Sequence, residues 1–248
     1  MSNSLIKKNS FKDQLFFLDL SLMDYNKTLD VQLKCQKLCV EQKIPGVIIF
    51  VEHPDTITLG KHCDTNDYIL EKDLIAKLHI PVIRTDRGGK ITAHCPKQLT
   101  IYPIMDMGVH LFPKELVSFL ESSTIQVVKK FDIKASIDPH YPGVWIDNRK
   151  IAAIGLRIKE RVSYHGLSIN VSNSLDLFSY ILPCGIQDRK VTSLKLELSK
   201  NPLNNYYNFS QDDTIIMNEV KKLYKLEFES RLGPLKSVSL AQILGSDS

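Results

Sequence analysis

Gly143-Val-Trp-Ile-Asp-Asn-Arg-Lys-Ile-Ala-Ala-Ile-Gly-Leu-Arg-Ile158 carries two apolar runs, 143–146 and 150–158, separated by Asp147-Asn148. Such a dipeptide between β-forming runs is a hairpin signal, so the stretch predicts two strands that turn back on each other. Outward from it the chain alternates strand-like and helix-like segments. On the N-terminal side, 15–20, 47–51, 81–84 and 99–104 read as strands by apolar density and β-branching, and 28–42, 71–78 and 113–130 as helices. On the C-terminal side, 164–171 reads as a strand and 213–224 as a helix. A hairpin set among single helices predicts an α/β fold of the α+β-like kind, a mixed sheet with packed helices, rather than a parallel doubly wound sheet.

Within the 28–42 helix, Val31, Cys35, Leu38 and Cys39 fall at i, i+4, i+7 and i+8, which places both cysteines on its apolar face as small core residues. Pro113 suits the first turn of the 113–130 helix. A length of 248 residues with ordinary composition predicts a polar, flexible tail at 1–12 and a single domain at 13–248. The turn-rich 199–205 stretch sets off a possible small C-terminal lobe from about 205. The net charge of +4 falls short of a nucleic-acid footprint but suits docking to an acidic protein. Cysteines 35, 39, 63, 95 and 184 include no CxxC pair, which points to reduced thiols and a cytoplasmic setting. Lys7 and Lys8 precede the apolar 15–18 run, yet Asp13 and Asp19 bracket that run and no cleavage site follows, so a secretory signal is not expected. No run of about 18 apolar residues is present, so no membrane-spanning helix is expected.

Two segments carry chemistry. Lys150 stands against Ile151, Ala152, Ala153 and Ile154; burial there would disfavour its ammonium, which is how a lysine becomes a proton acceptor near neutral pH. Cys184, in Ile181-Leu-Pro-Cys-Gly-Ile186, is the thiol such a base would serve, since the thiolate is the nucleophile. Alone, each has a plainer reading: a surface lysine past a turn and a core thiol. A third segment, Arg87-Gly-Gly-Lys-Ile-Thr-Ala-His94, follows a predicted strand; its glycines permit close backbone approach, and Thr92 and His94 share one side of an extended chain. A zinc cluster of His53, His62, Cys63, His94 and Cys95 suits the ligand chemistry but has no recognised finger spacing, and no metal is expected.

The ordered segments together resemble the lipoyl(octanoyl) transferase family. The resemblance runs from Val51-Glu-His-Pro-Asp-Thr-Ile-Thr-Leu-Gly60 through Arg84-Thr-Asp-Arg-Gly-Gly89, 98–103, Tyr141-Pro-Gly-Val-Trp145, 150–157, Tyr164-His-Gly-Leu167 and Pro183-Cys-Gly-Ile186 to Thr192-Ser-Leu194. It implies a biotin/lipoate ligase-like catalytic domain that moves an octanoyl group from acyl carrier protein to a lysine of a lipoyl domain, the first step of endogenous lipoate synthesis. Acceptors would be lipoyl domains of 2-oxoacid dehydrogenases or the glycine-cleavage H protein. It assigns Cys184 as acyl-thioester nucleophile and Lys150 as general base. Substrate contacts would come from Arg87, Gly88, Gly89, Lys90, Ile91, Thr92, Ala93 and His94, from Ala153, Ile154 and Gly155, and from Gly166, Leu167 and Ser168. The donor thioester is already activated, so no cofactor is implied. The chain departs from the family's His-Gly-Pro-Gly-Gln at His94-Cys-Pro-Lys-Gln98. A left-handed backbone at either replaced glycine would then cost roughly 1 kcal/mol, and Lys97 would bring charge toward an acyl site. A lipoate ligase and a catalytically impaired acyl- or lipoyl-domain-binding homologue are the alternatives.

Overall fold

Val47, Ile49 and Val51 face one way along a strand and Ile48 and Phe50 the other, and all five are fully buried. A strand of unbroken apolar residues must be covered on both faces, and each such side chain contributes about 1.5–3 kcal/mol of burial. That requirement organises the molecule.

The protein, seen as a computed structural model, is described over residues 14–63, 71–108, 112–182, 190–201, 206 and 212–245. The expected tail at 1–12 and Cys184 lie outside the described residues. In chain order the elements are β1 (Phe16–Leu22), α1 (Tyr25–Val40), β2 (Gly46–Glu52), β3 (Thr56–Leu59), α2 (Lys72–Lys77), β4 (Val82–Arg84), β5 (Ile91–His94), β6 (Gln98–Met105), α3 (Pro113–Lys129), β7 (Ser136–Ile137), β8 (Val144–Ile146), β9 (Arg149–Lys159), β10 (Val162–Asn170), α4 (Asp176–Ser179), β11 (Lys190–Val191), α5 (Leu194–Ser199), α6 (Asp213–Leu232), β12 (Lys236–Ser237) and α7 (Leu240–Leu244).

Among the described residues the main sheet runs β12-β1-β2-β6-β10-β9-β8-β7, with β11 also pairing β9. It is mixed: β1 is parallel to β2 and β12, whereas β2, β6, β10, β9, β8 and β7 pair antiparallel in turn. The 147–148 hairpin joins β8 to β9, with Asp147 taking the positive φ of 51° that a tight turn requires. Helices α3 and α6 cover one face over Phe119, Leu120, Tyr224 and Phe228, and α1 covers the other through Val31, Cys35 and Cys39. A second sheet, β4-β3-β5, packs with α4 around Ile57, Ile91, Cys95 and Phe178.

The structure extends two expected helices. Asp24 accepts the Lys27 N–H at 3.0 Å, so α1 starts at Tyr25 rather than 28. Tyr224, Phe228 and Leu232 continue one buried face at i, i+4 and i+8, carrying α6 eight residues past the expected 224. Strand β3 and the short α4, α5 and α7 were not expected, because four to six residues are too few to show a period.

Candidate active site

The 87–94 segment folds back over the sheet because three glycines let backbone meet backbone. A Cβ at Gly60 would lie 2.3 Å from the Gly89 carbonyl oxygen, and one at Gly155 would lie 2.8 Å from that of Gly88. Gly89 itself has φ +82°. The close approach expected toward a ligand is thus, for Gly88, an approach to β9, where its N–H donates to the Leu156 carbonyl at 3.0 Å. Arg87 locks the loop: its guanidinium donates to the carbonyls of Thr58 at 2.7 Å, Gly88 at 3.0 Å and Lys90 at 2.8 Å, and to the Thr58 hydroxyl. Arg87 is buried, so these bonds shape the loop while its charge stays beside the cavity beneath.

That cavity, about 50 Å³, lies between the loop and the main sheet. Arg87, Gly89, Lys90, Ile91, Thr92 and His94 line it from above, and Ala153, Ile154, Gly155, Gly166, Leu167 and Ser168 from below. Gly88 instead lines the neighbouring cleft. Ala93 alone among the expected contacts turns away; it packs with Ile57 and Cys95 in the small sheet's core, since alternate residues of β5 face opposite sides.

Four aromatic residues absent from the expected set complete the wall: Tyr25, Tyr102, His165 and, behind them, His53. His53 donates from Nδ1 to the Met23 carbonyl at 2.8 Å and accepts at Nε2 from the Tyr102 hydroxyl at 2.9 Å. Gln98 donates to Ala93 and Asn170, so its carbonyl oxygen is the acceptor for His94 Nδ1 at 2.9 Å. Burial holds the His53 imidazole down at about 4 and that of His94 well below the usual range. The cavity therefore presents neutral rings at neutral pH, which suits an apolar guest. Burial likewise lowers His165, although Asp86 opposes it.

His165 has φ 55° in the middle of β10. That kink brings two consecutive side chains to one carboxylate, because Tyr164 Oη and His165 Nε2, at 2.9 Å, both bond Asp86. Adjacent residues of a regular strand could not converge in this way. Burial raises the Asp86 carboxyl, but the hydrogen bonds from Tyr164 and His165 prevail and hold it below the usual range. His165 Nδ1 is buried and has no hydrogen-bond partner among the described residues.

Beside the cavity opens a cleft of about 850 Å³, and Gly89, Lys90 and 153–155 line both. Its rim includes Lys61, Lys90, Lys114 and Arg157, with Ile137 and Tyr141 as exposed apolar residues. Lys150 reaches its floor from β9 and is 7% exposed. Its Nζ donates to the Pro142 carbonyl at 3.1 Å and lies 4.7 Å from the centre of the Trp145 ring. The plain reading of Lys150 as a surface lysine is thereby corrected: strand pairing with Trp145 draws it inward.

Lys97 has φ 68°, so the 94–98 turn keeps a left-handed residue where the resembled pattern has glycine. Its side chain pairs with Asp213 on the outer surface, which corrects the expectation that it charges the acyl site. Among the described residues no three His, Cys, Asp or Glu side chains converge as a metal site. No described helix is long and apolar enough to cross a membrane.

The chain matches the family model of the lipoyl protein ligase A/B catalytic domain over residues 24–214. It is 44% identical over 179 residues to the octanoyltransferase of Dictyoglomus thermophilum, covering 72% of this chain and 75% of that protein. It is 32% identical over 222 residues to that of Syntrophobacter fumaroxidans, covering 88% and 94%. Among solved structures, a putative lipoate protein ligase from T. acidophilum with bound lipoic acid superposes with a TM-score of 0.68 at 12% identity, covering 94% of this chain and 92% of that one. Lipoate-protein ligase A bound with ATP gives 0.64 at 12% identity, covering 95% and 94%. At such identities the two superpositions speak to fold alone.

Proposed function

The chain belongs to the lipoyl protein ligase A/B catalytic domain family, and from that premise we propose that it is an octanoyltransferase of lipoate synthesis, as its relatives are named. In this reading Cys184 as thiolate attacks the octanoyl thioester of acyl carrier protein. The carrier's thiol leaves, and an octanoyl-cysteine thioester remains. Lys150 takes the Cys184 proton and returns it to the departing thiol. A neutral lysine amine of a lipoyl-domain protein then attacks the acyl-enzyme, forming an amide and releasing Cys184. The donor thioester already carries an activated acyl group whose transfer to an amine runs downhill, so the scheme needs no nucleotide. We place the reaction in the cytoplasm, in keeping with the reduced thiols of Cys35, Cys39 and Cys95.

One observation carries the assignment of the two reacting residues. Phe178 and Val191 both line a small cavity with Lys150, and they flank Cys184 in sequence. Val191 is the strand partner of Lys150, and the Thr192 N–H donates to the Lys150 carbonyl at 2.9 Å. The chain on either side of Cys184 thus returns to the lysine. The uncharged rings that line the cavity next to it support an alkyl guest, and the wide cleft supports a protein-borne arm.

Intact mass after incubation with octanoyl acyl carrier protein tests the scheme. An octanoyl adduct on the wild type that is absent in Cys184→Ala is expected, and adding a lipoyl domain should then move the mass to that protein. Transfer that survives in Cys184→Ala and requires ATP would overturn the scheme in favour of ligation. A folded wild type that takes no octanoyl group would mark an acyl- or lipoyl-domain-binding homologue.

A further inference from the structure

Among the groups that hold Lys150 is a peptide unit whose two ends are both occupied. The carbonyl of Pro142 accepts from Lys150 Nζ at 3.1 Å. The N–H of the same peptide, on Gly143, donates to Glu121 Oε1 at 2.9 Å. Glu121 projects from α3, a different layer of the fold, and is buried at the border of the wide cleft. A buried carboxylate is costly unless it is paired, so its retention here calls for a specific partner. Burial raises its carboxyl above the usual range, while the Gly143 N–H and the Lys150 charge pull in the other direction.

The peptide has little freedom to choose another orientation. Gly143 has φ +124°, and a Cβ there would lie 2.4 Å from the Ala152 carbonyl oxygen, so the chain is pressed onto β9 with a backbone that only glycine adopts without strain. The Trp145 indole N–H donates to the Tyr141 carbonyl at 3.1 Å, closing the turn beneath Lys150 Nζ. Both Glu121 and Lys150 border the wide cleft.

We propose that Glu121 is a positioning residue: it orients the Pro142–Gly143 peptide, and through that peptide it aims the Lys150 amine at the reacting thioester. The proposal rests on the role assigned to Lys150 above, but the placement it describes is measurable without the reaction. Glutamine keeps an acceptor oxygen for the Gly143 N–H, whereas leucine removes it. Glu121→Gln should therefore behave like wild type, and Glu121→Leu should free the peptide.

Two readouts test this on the full-length protein. The first is the rate at which acetic anhydride labels Lys150, followed by peptide mass spectrometry. The second is the rate of octanoyl adduct formation. In Glu121→Leu, labelling should rise several-fold as the amine leaves its carbonyl, and acylation should fall by roughly tenfold or more, as expected for a displaced catalytic group. Glu121→Gln should remain within about threefold of wild type in both, since the acceptor is conserved. If Glu121→Leu does not fold, Glu121→Ala makes the same contrast with a smaller side chain. Unchanged labelling in a folded Glu121→Leu or Glu121→Ala would overturn the proposal, and so would a glutamine variant as impaired as the leucine one. Adduct formation that persists in Lys150→Met would instead sink the role of Lys150 while leaving the clamp itself intact.

Discussion

The inner cavity and the outer cleft share five lining residues, Gly89, Lys90 and 153–155, yet they are built on opposite principles. The cavity, about 50 Å³, is enclosed by hydrogen-bonded rings, and its tolerance is set by backbone contacts that glycine alone permits. The cleft, about 850 Å³, is bordered by long charged side chains and exposed Ile137 and Tyr141, with one buried lysine at its floor. In the proposed reading this contrast is a division of labour: rigidity where a small group would be recognised and latitude where a protein-sized partner would approach.

The sharpest way to break this contrast is at the cleft floor. Lys150→Met removes the proposed base and keeps an apolar body beside Trp145; octanoyl adduct formation should fall by about 10²–10⁴-fold with little loss of stability. A variant that acylates at the wild-type rate would end the catalytic reading of the cleft. In the cavity the largest effect should be on folding. An added Cβ at Gly166 would lie 2.0 Å from the Ile101 carbonyl oxygen, so Gly166→Ala must force β10 from β6 and should cost about 3 kcal/mol or more in urea denaturation. Gly166 being tolerated would show the cavity floor to be as pliant as the cleft.

The cavity should also be the acid-sensitive part. An unfolded chain takes up a proton on His53 near 6.5, whereas the folded one resists until about 4. Stability contributed by this histidine is therefore complete above about pH 6.5 and is lost as pH falls toward 4, by on the order of 3 kcal/mol. Urea midpoints at pH 7, 5.5 and 4.5 check this, and His53→Phe should flatten the profile. Removal of the phenol that faces it, Tyr102→Phe, leaves His53 Nε2 without its donor and should cost about 1–3 kcal/mol. The smallest effect lies outside both regions. Lys97→Gly relieves the φ of 68° and forfeits only a half-exposed pair with Asp213, so thermal unfolding should show a gain of up to about 1 kcal/mol.

Much of the fold was legible because strands and helices of more than about six residues carry a period. The runs 47–51, 99–104 and 150–158 all became central strands of the main sheet. The α6 extension was legible too, in the spacing of Tyr224, Phe228 and Leu232, although charged residues between them obscured it. The site was legible only by segment. Thr92 and His94 share the cavity face, as alternation in an extended chain requires, and the same alternation removes Ala93. Tyr25, Tyr102 and His165 carried no local signal, since each joins the site from a separate element and only the stacking of β6, β10 and α1 brings them together. Glu121 was invisible for the same reason: a glutamate in the middle of an amphipathic helix reads as surface until the 141–143 turn is laid over it.

By itself the amino-acid sequence determined the longer strands and helices and the 147–148 hairpin, because those follow from side-chain period and local turn chemistry. Tertiary structure alone decided that Arg87 closes a loop, that the rings of three histidines lie buried together, and that Lys150 hangs from a peptide held by Glu121. Most of those are contacts between residues twenty or more positions apart, and their energies depend on burial, which no single segment of a chain possesses until the others have packed against it.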